Sequence, residues 1–359
     1  MTRIPTICLN MIVRDEASII GDALASICDA TQLSSWVIHD TGSKDKTPDI
    51  ICSFFEERGI PGRLSHRQWI NFGHNRQAAL EDALGMSDFV IIFDADCHLE
   101  GKIPDLDIAV DSYMINSVRN STVYPVKQII RNHGGFRWRG VVHEGLYFIG
   151  KRSENSTSLP GVRVINRSEG YRSRDPATYY RDAQLLMQAI QSLSREDQDL
   201  LPRYVFYTAN SWRDAKCPRE AVEWYQRRID LGGWKDEIFI SYLNLGICLR
   251  LMGNDSGAIE AWTAGSEICP DRAECLYKLA QAERERGRYN MALLYAKAAM
   301  HIRMPAEGRL FLMRDVYDFW SSFEYLWALK NLGRQNEGDE ARAIMKRNGA
   351  PQHLFHIVS

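Results

Sequence analysis

Two carboxylates, Asp94 and Asp96, follow the most telling apolar run of the chain. Residues 89–93, FVIIF, predict a strand that is buried on both faces and ends where the acids begin. In an open α/β sheet, ligands bind outside the carboxyl ends of the strands. A divalent cation carrying a diphosphate would relieve the repulsion between two acids there, because Mg²⁺ and Mn²⁺ prefer oxygen ligands. A strand followed by an acidic turn is the simpler interpretation of these residues alone.

Two earlier segments also bring polar side chains to strand ends. Residues 11–16, MIVRDE, end a strand with Arg14 and Glu16. Residues 40–47, DTGSKDKT, combine a strand end, a glycine turn and a helix start. Asp40 could accept a hydrogen bond from the ring N–H of a nucleobase. An ordinary strand–turn–helix with a capping side chain explains the same segment.

A third segment, residues 74–80 (HNRQAAL), places Arg76 on the first turn of a helix that faces the same sheet edge. A diphosphate or a nucleobase would be a suitable partner for this guanidinium. A surface salt bridge accounts for the residue equally well.

The elements that must position these side chains alternate along the first half of the chain. We predict strands over 6–13, 35–40 and 88–94, and helices over 16–28, 45–58 and 73–86. This order predicts a parallel sheet with right-handed crossovers. Short β-rich pieces between 111 and 148, including 141–144, predict a mixed extension of the sheet, and the polar stretch 151–160 predicts an exposed loop.

After residue 176 the strand pattern gives way to helices that repeat every 34 residues. Gly246 and Ala280 are separated by this interval, as are Gly253 and Gly287. The pattern resembles tetratricopeptide repeats, in which small residues let paired helices touch. We therefore predict two domains, 1–175 and 176–359. Such arrays bind peptides, mediate oligomers or buttress a neighbouring domain.

Bulk composition fits two globular domains, because the chain has 359 residues, 45% of them hydrophobic and 25% charged. A net charge of −2 gives no argument for attraction to nucleic acid or an anionic membrane. Cys8, Cys28, Cys52, Cys248 and Cys269 lie among apolar residues and are expected to be reduced core thiols. With no signal-peptide pattern and no apolar run long enough for a bilayer, we expect a cytoplasmic protein without a transmembrane segment.

The motifs in the first half occur together and in a specific order, and together they resemble glycosyltransferase family 2, whose members have the GT-A fold. The matching segments are MIVRDE (11–16), DTGSKDKT (40–47), NRQAA (75–79), FDAD (93–96) and FRWRGVVHE (136–144). The last resembles the Trp-x-Gly-x-x-His-Glu segment of a cytosolic subgroup that includes bacteriocin S-glycosyltransferases and proteins joined to tetratricopeptide repeats. The implied fold class is α/β, a GT-A, Rossmann-like mixed sheet, followed by an all-α tetratricopeptide-like domain.

The resemblance implies an inverting, metal-assisted transfer from a nucleotide sugar, most often a UDP-sugar. It implies the following roles: Asp40 contacts the uracil; Arg14, Glu16 and Arg76 line the nucleotide; Asp94 holds ribose or metal; and Asp96 coordinates Mn²⁺ or Mg²⁺. The metal would stabilise the charge that builds up on the departing diphosphate.

Inversion also requires a base on the face opposite the leaving group. Glu144 is the candidate base, and His143 is its neighbour, a metal ligand or a phosphate donor; a polar pair at a strand edge is the plainer interpretation. Trp138 has a flat face that could stack on a sugar, although tryptophan is as often simply buried.

One departure from the subgroup concerns a histidine that usually precedes a Gly-Tyr pair. Here Gly170 and Tyr171 follow a stretch without histidine, so Asn166, Arg167 or Ser168 would have to replace it. This departure motivates an alternative from another class: a non-catalytic tetratricopeptide scaffold that binds a peptide or protein and carries a degenerate glycosyltransferase domain. The acceptor is open among peptide, glycan, lipid-linked glycan and nucleic acid. The repeats could also mediate a homo-oligomer or bind a protein partner.

Overall fold

The computed structural model describes residues 3–167, 170, 175–305 and 309–358. The chain divides into two compact units. The first comprises Met1–Asn120 and Pro125–Ala189, and the second comprises Ser121–Tyr124 and Ile190–Ser359. The predicted boundary at residue 175 differs from this division. Helix Thr178–Gln191, which we placed in the helical domain, groups almost entirely with the first unit, because the pattern shows where strands stop and not where packing changes.

The first unit begins with the predicted alternation of strands and helices. Its elements are β1 (Ile7–Val13), α1 (Ile20–Ala30), β2 (Ser35–Asp40), α2 (Thr47–Glu57), β3 (Gly62–His66), α3 (Phe72–Asp82) and β4 (Phe89–Ile92). Strand β1 lies between β2 and β4 and runs parallel to both, and β3 runs parallel to β2. The predicted parallel sheet is confirmed.

Both faces of the central strands are covered, which explains their continuous apolar runs. Leu9 and Ile91 belong to the buried cluster that includes α1 and α2. Cys8 and Val90 belong to a separate cluster with Leu80 of α3. The two faces together fix the carboxyl ends of β1 and β4 side by side.

The second half of the sheet is mixed, as expected. It contains β5 (Cys97–Glu100), β6 (Ser112–Arg119), β7 (Thr122–Arg131) and β10 (Ser156–Asn166), while β8 (Phe136–Arg139) and β9 (Gly145–Phe148) form a separate hairpin. The strand order is β3-β2-β1-β4-β7-β6-β10-β5. Strand β7 runs antiparallel to β4, and β10 runs parallel to β6.

Two predictions about this region were wrong. Residues 156–160, predicted as loop, begin β10, whose outward positions are polar and whose buried positions include Leu159 and Val162. Residues 141–144, predicted as strand, form an irregular turn. Gly140 and His143 there have φ of 112° and 51°, values that a strand does not contain.

The second unit is helical. Its helices are α5 (Leu201–Asp214), α6 (Pro218–Asp230), α7 (Lys235–Leu251), α8 (Asp255–Ile268), α9 (Glu274–Glu285), α10 (Tyr289–His301), α11 (Ser321–Asn331), α12 (Asp339–Arg347) and α13 (Gln352–Val358). Helix Thr178–Gln191 of the first unit is α4. Gly253 and Gly287 follow α7 and α9 with φ of 79° and 71°, so the repeat marks equivalent helix ends. A Cβ on Gly246 would lie 2.3 Å from the buried Trp262 ring, which shows why a small residue is needed there.

The cysteine environments agree in part with expectation. Cys8, Cys248 and Cys269 are buried free thiols and Cys28 is partly buried. Cys52 was wrongly expected in the core and is exposed, because Ile51 and Phe55 take the inward positions of α2. Of the helices that the structure describes, none has the length and apolar character needed to cross a bilayer.

Candidate active site

A cavity of about 860 Å³ opens in the first unit where β1 and β4 end. Seven of the nine predicted site residues line it: Arg14, Glu16, Arg76, Asp94, Asp96, His143 and Glu144. They come from the ends of β1 and β4, the first turns of α3 and the turn that follows β8. The sheet therefore gathers motifs from distant parts of the sequence at one edge, as parallel strands do.

Arg76 lies between two of these carboxylates. Its Nε donates to Glu144 Oε1 at 2.6 Å, and its Nη2 donates to Asp94 Oδ1 at 2.6 Å. The Arg76 and Glu144 side chains are only 11% and 10% exposed. Burial by itself would lower the pKa of Arg76, but Asp94 and Glu144 together raise it above its usual value. Arg76 thus forms salt bridges, as the simpler interpretation expected, but its own side chain and that of Glu144 are largely buried.

The turn that carries Glu144 is attached to the start of α3. Phe72 N–H donates to the Val141 carbonyl and Gly73 N–H donates to the Gly140 carbonyl, both at 3.1 Å. These bonds satisfy backbone donors that a helix N-terminus leaves without partners. A Cβ on Gly73 would lie 2.2 Å from the Gly140 oxygen, so only glycine permits this approach.

Asp96 has a different environment from Asp94. Burial raises its pKa, and the nearby charge of Asp94 raises it further. Among the described residues, its side chain accepts only a long contact from the Cys97 thiol, at 3.8 Å. Asp96 Oδ2 and Glu16 Oε1 both lie 3.3 Å from where a Cβ on Gly170 would be. Both carboxylates therefore lie close to Gly170, a residue that has no side chain.

Carboxylate oxygens are the ligands that Mg²⁺ and Mn²⁺ prefer. No group of three or more His, Cys, Asp or Glu side chains with metal-ligand geometry occurs in the described part of the chain. Mg²⁺ in nucleotide sites usually takes only one or two carboxylates, however, and completes its shell with substrate phosphates and water. The partly buried Asp96 carboxylate would supply negative charge to such a site.

Asp40 and Trp138 do not lie on the described cavity wall. The Asp40 carboxylate accepts from the Ser43 N–H at 3.1 Å and lies 3.0 Å from His66 Nδ1, an arrangement that closes the strand–helix turn. The Trp138 ring lies behind Arg76, with the guanidinium carbon 5.3 Å from its centroid. Neither position tests the nucleobase or sugar contact that the resemblance implies.

The loop that departs from the subgroup is only partly described. Asn166 lines the cavity, whereas Arg167 Nη1 lies 3.3 Å from Asp22 Oδ2 and is not on the described wall. Ser168 and Tyr171 lie outside the described residues. Of the two proposed substitutes that the structure describes, Asn166 and Arg167, Asn166 is the one that lines the cavity.

Sequence reasoning missed several wall residues. Trp69 and Phe72, whose ring centroids are 4.6 Å apart, flank Asn71 at the start of α3. The Asn71 side chain accepts from the His74 N–H at 2.8 Å, so this N-cap was a usable signal for the helix start. Tyr179 and Asp182 come from α4, where no motif pointed to a site.

The described wall carries six carboxylates and four guanidinium groups. A diphosphate would add negative charge to a wall that already has an excess of it. We therefore expect such a ligand to bind together with a compensating cation.

A comparison with protein families matches the region that contains much of this site. Residues 8–106 match the model of the family described as "Glycosyl transferase family 2". The N-terminal region thus has a glycosyltransferase family 2 domain, as predicted, and the match covers β1 to β5, including four of the five motif segments.

Comparisons with individual proteins found further similarities. A TPR repeat-containing protein of Synechococcus elongatus is 39% identical over 89 residues, which are 24% of this chain and 20% of that protein. The chain therefore spans about a fifth of the length of this curated relative. Solved structures that are similar include MamA (TM-score 0.38, 13% identity, 48% of this chain and 90% of that chain) and BtubC from P. vanneervenii (0.40, 16%, 48% and 73%). The repeated helix pairs, with Gly253 and Gly287 at equivalent helix ends, confirm the predicted tetratricopeptide-like half.

Proposed function

We propose that the first unit is an inverting glycosyltransferase that moves a sugar from a nucleotide-sugar donor, a UDP-sugar, to an acceptor hydroxyl or thiol. The observation that carries this proposal is the arrangement of Arg76 between Asp94 and Glu144, in the cavity that the partly buried Asp96 also lines. Other acceptor chemistries, including lipid-linked glycans and a nucleic-acid base, remain open to the same test.

In the proposed reaction, the acceptor oxygen or sulfur forms a bond to the anomeric carbon of the donor sugar. The bond from that carbon to the diphosphate oxygen breaks, and its electron pair leaves with the diphosphate. Glu144 takes the acceptor proton as general base. Attack and departure on opposite faces of the sugar invert the anomeric configuration. His143, which lines the cavity with φ 51°, would donate a hydrogen bond to the departing phosphate.

Mn²⁺ or Mg²⁺, held by Asp96 and the phosphates of the donor, would act as a Lewis acid that stabilises the charge of the leaving group. Asp94 is already paired with Arg76, so its proposed role is to hold that guanidinium and the ribose side of the donor. For the helical unit, we propose that it binds a protein partner, a peptide acceptor or a second copy of the chain.

The test is thermal unfolding of the full chain with common sugar nucleotides, with and without Mn²⁺. A donor present at 100 times its Kd stabilises the folded state by about 2.7 kcal/mol, which raises Tm by roughly 5–10 °C for a domain of this size. Release of UDP then measures turnover. Asp96→Asn should remove the manganese-dependent part of both signals, since it replaces a charged ligand by a neutral one of the same shape.

The scaffold alternative makes the opposite prediction. If no sugar nucleotide stabilises the protein or turns over, while a peptide binds tightly to the helical unit, the proposed transferase activity is wrong. Manganese-dependent turnover that survives in Asp96→Asn would instead refute the assignment of the metal ligand.

A further inference from the structure

The guanidinium of Arg76 is committed to groups of the protein itself, and this has a consequence for its role. The family resemblance implies that Arg76 lines the nucleotide. In the structure, its Nε and Nη2 are both directed to carboxylates at 2.6 Å, and Trp138 covers one side of the group. We propose that Arg76 is a positioning residue that holds the Glu144 carboxylate where it can accept the acceptor's proton. This inference rests on the proposed transferase function.

The first argument is the environment of the ion pair. The Glu144 side chain is nearly as buried as Arg76, at 10% and 11% exposure. If Arg76 turned to a phosphate, the Glu144 carboxylate would lose a short charge-assisted hydrogen bond in a poorly hydrated site, which is unfavourable. Asp94 would lose its partner at the same time. The arrangement therefore favours an Arg76 that stays in place when the donor binds.

The second argument is that α3 holds Glu144 at two points. The backbone before Glu144 is attached at Gly73, through the close approach to Gly140. The side chain of Glu144 is attached at Arg76, three residues further along the same helix. Residues three apart lie on the same face of a helix, so the two attachments lie one above the other. Backbone and carboxylate are thereby fixed to one rigid element, as a well-placed base requires.

The experiment compares Arg76→Ala and Arg76→Lys, each in the wild-type chain and in Glu144→Gln. The measurements are kcat, the KM of the donor and the Kd of UDP with Mn²⁺. We expect kcat to fall about 100-fold, the effect of misplacing a reacting group by roughly 1 Å. The KM and the Kd should change less than about threefold. Lysine should not restore kcat, because an ammonium group cannot replace a planar fork that bridges two carboxylates.

The double variant separates positioning from other effects. If Arg76 acts through Glu144, then Arg76→Ala should lower kcat no further once Glu144 is glutamine, because residues that act as a unit are not additive. Added guanidinium ion, at a concentration that does not unfold the chain, should restore part of kcat in Arg76→Ala and none in the double variant. Circular dichroism and Tm establish that each variant is folded. If Arg76→Ala fails to fold, the Arg76→Lys comparison decides.

Arg163→Ala is the matched control. Its Nε lies 2.5 Å from Glu100 in an exposed pair that is not on the described cavity wall, so kcat should stay at the wild-type value. A rise of tenfold or more in the UDP Kd with Arg76→Ala, or kcat losses that multiply in the double variant, would overturn the positioning role and make Arg76 a nucleotide ligand. A wild-type chain that binds no sugar nucleotide would instead remove the proposed function itself.

Discussion

Replacing Gly73 by alanine should lower turnover far more than it lowers stability. The added Cβ would lie 2.2 Å from the Gly140 oxygen, and contacts of this kind below 3.0 Å are essentially not observed. The α3 backbone and the Gly140–Glu144 turn must therefore separate by about 0.8 Å. Their two hydrogen bonds, now 3.1 Å long, would stretch to almost 4 Å and be lost.

The cost in stability follows from these bonds. Each contributes a net of about 0.5–1.5 kcal/mol, so the loss is about 1–3 kcal/mol. Alanine offsets up to about 1 kcal/mol of this loss in stability, because it is a better helix former than glycine. The free energy of unfolding should therefore fall by at most about 3 kcal/mol, which lowers Tm by no more than roughly 6–12 °C. Turnover should fall about 100-fold, because the shift displaces Glu144 by nearly 1 Å from the reacting atoms.

The assay measures kcat and UDP Kd alongside the unfolding midpoint. Gly21→Ala is the control, since Gly21 is also the second residue of its helix and no atom lies within 4 Å of the new Cβ. That variant should keep kcat and be as stable as the wild type or more so. If Gly73→Ala behaves in the same way as Gly21→Ala, the turn is not held by this contact, and the reasoning about the position of Glu144 fails.

Two further predictions concern buried charges outside the cavity. Arg272 and Glu274 form a fully buried pair in the helical unit. Arg272→Met should therefore lower the free energy of unfolding in urea by about 3–5 kcal/mol. The control Arg303→Met, at an exposed site, should change it by less than about 0.5 kcal/mol, the usual limit for surface sites. His39, whose Nε2 lies 2.9 Å from Asp82, has a pKa lowered from 6.5 mainly by burial. The unfolded chain therefore binds the proton more readily, and wild-type stability should fall as the pH drops below about 6.5. In His39→Gln this fall should be smaller; equal pH profiles for the two proteins would contradict the assignment.

The parallel half of the sheet could be predicted because its strands are buried on both faces. The sequence shows β1, β2 and β4 as apolar runs, and their predicted ends lie within a residue or two of the observed ends. β3 was missed because it is an edge strand with exposed and partly exposed positions. Its Gly62 lies against Trp36, whose ring would be 2.4 Å from a Cβ, and such a contact has no signature in the local sequence.

The site could be predicted as a set of residues but not as a set of contacts. The motifs identified which side chains reach the cavity, whereas the bond between Arg76 and Glu144 joins residues that are 68 apart in the chain. That bond depends on the close approach of Gly73 to Gly140, and the periodicity of the sequence does not reveal this approach. The wall contributed by α4 was missed for a related reason, since it lies beyond the motifs and beyond residues 8–106 of the family match.

Asp94 and Asp96 do not act as a symmetrical pair. β4 ends at Ile92, so the chain has left the regular strand before it reaches Asp94, and the two side chains enter different environments. Asp94 is 47% exposed and is neutralised by Arg76, whereas Asp96 is partly buried near a second carboxylate, Glu16. A site built on one uncompensated carboxylate and its neighbour offers too few oxygens to hold a divalent cation tightly by itself. In the proposed reaction, the missing ligands would come from the phosphates of the donor. Cation and nucleotide should therefore each bind weakly alone and strengthen each other's binding by the same factor, as linkage requires.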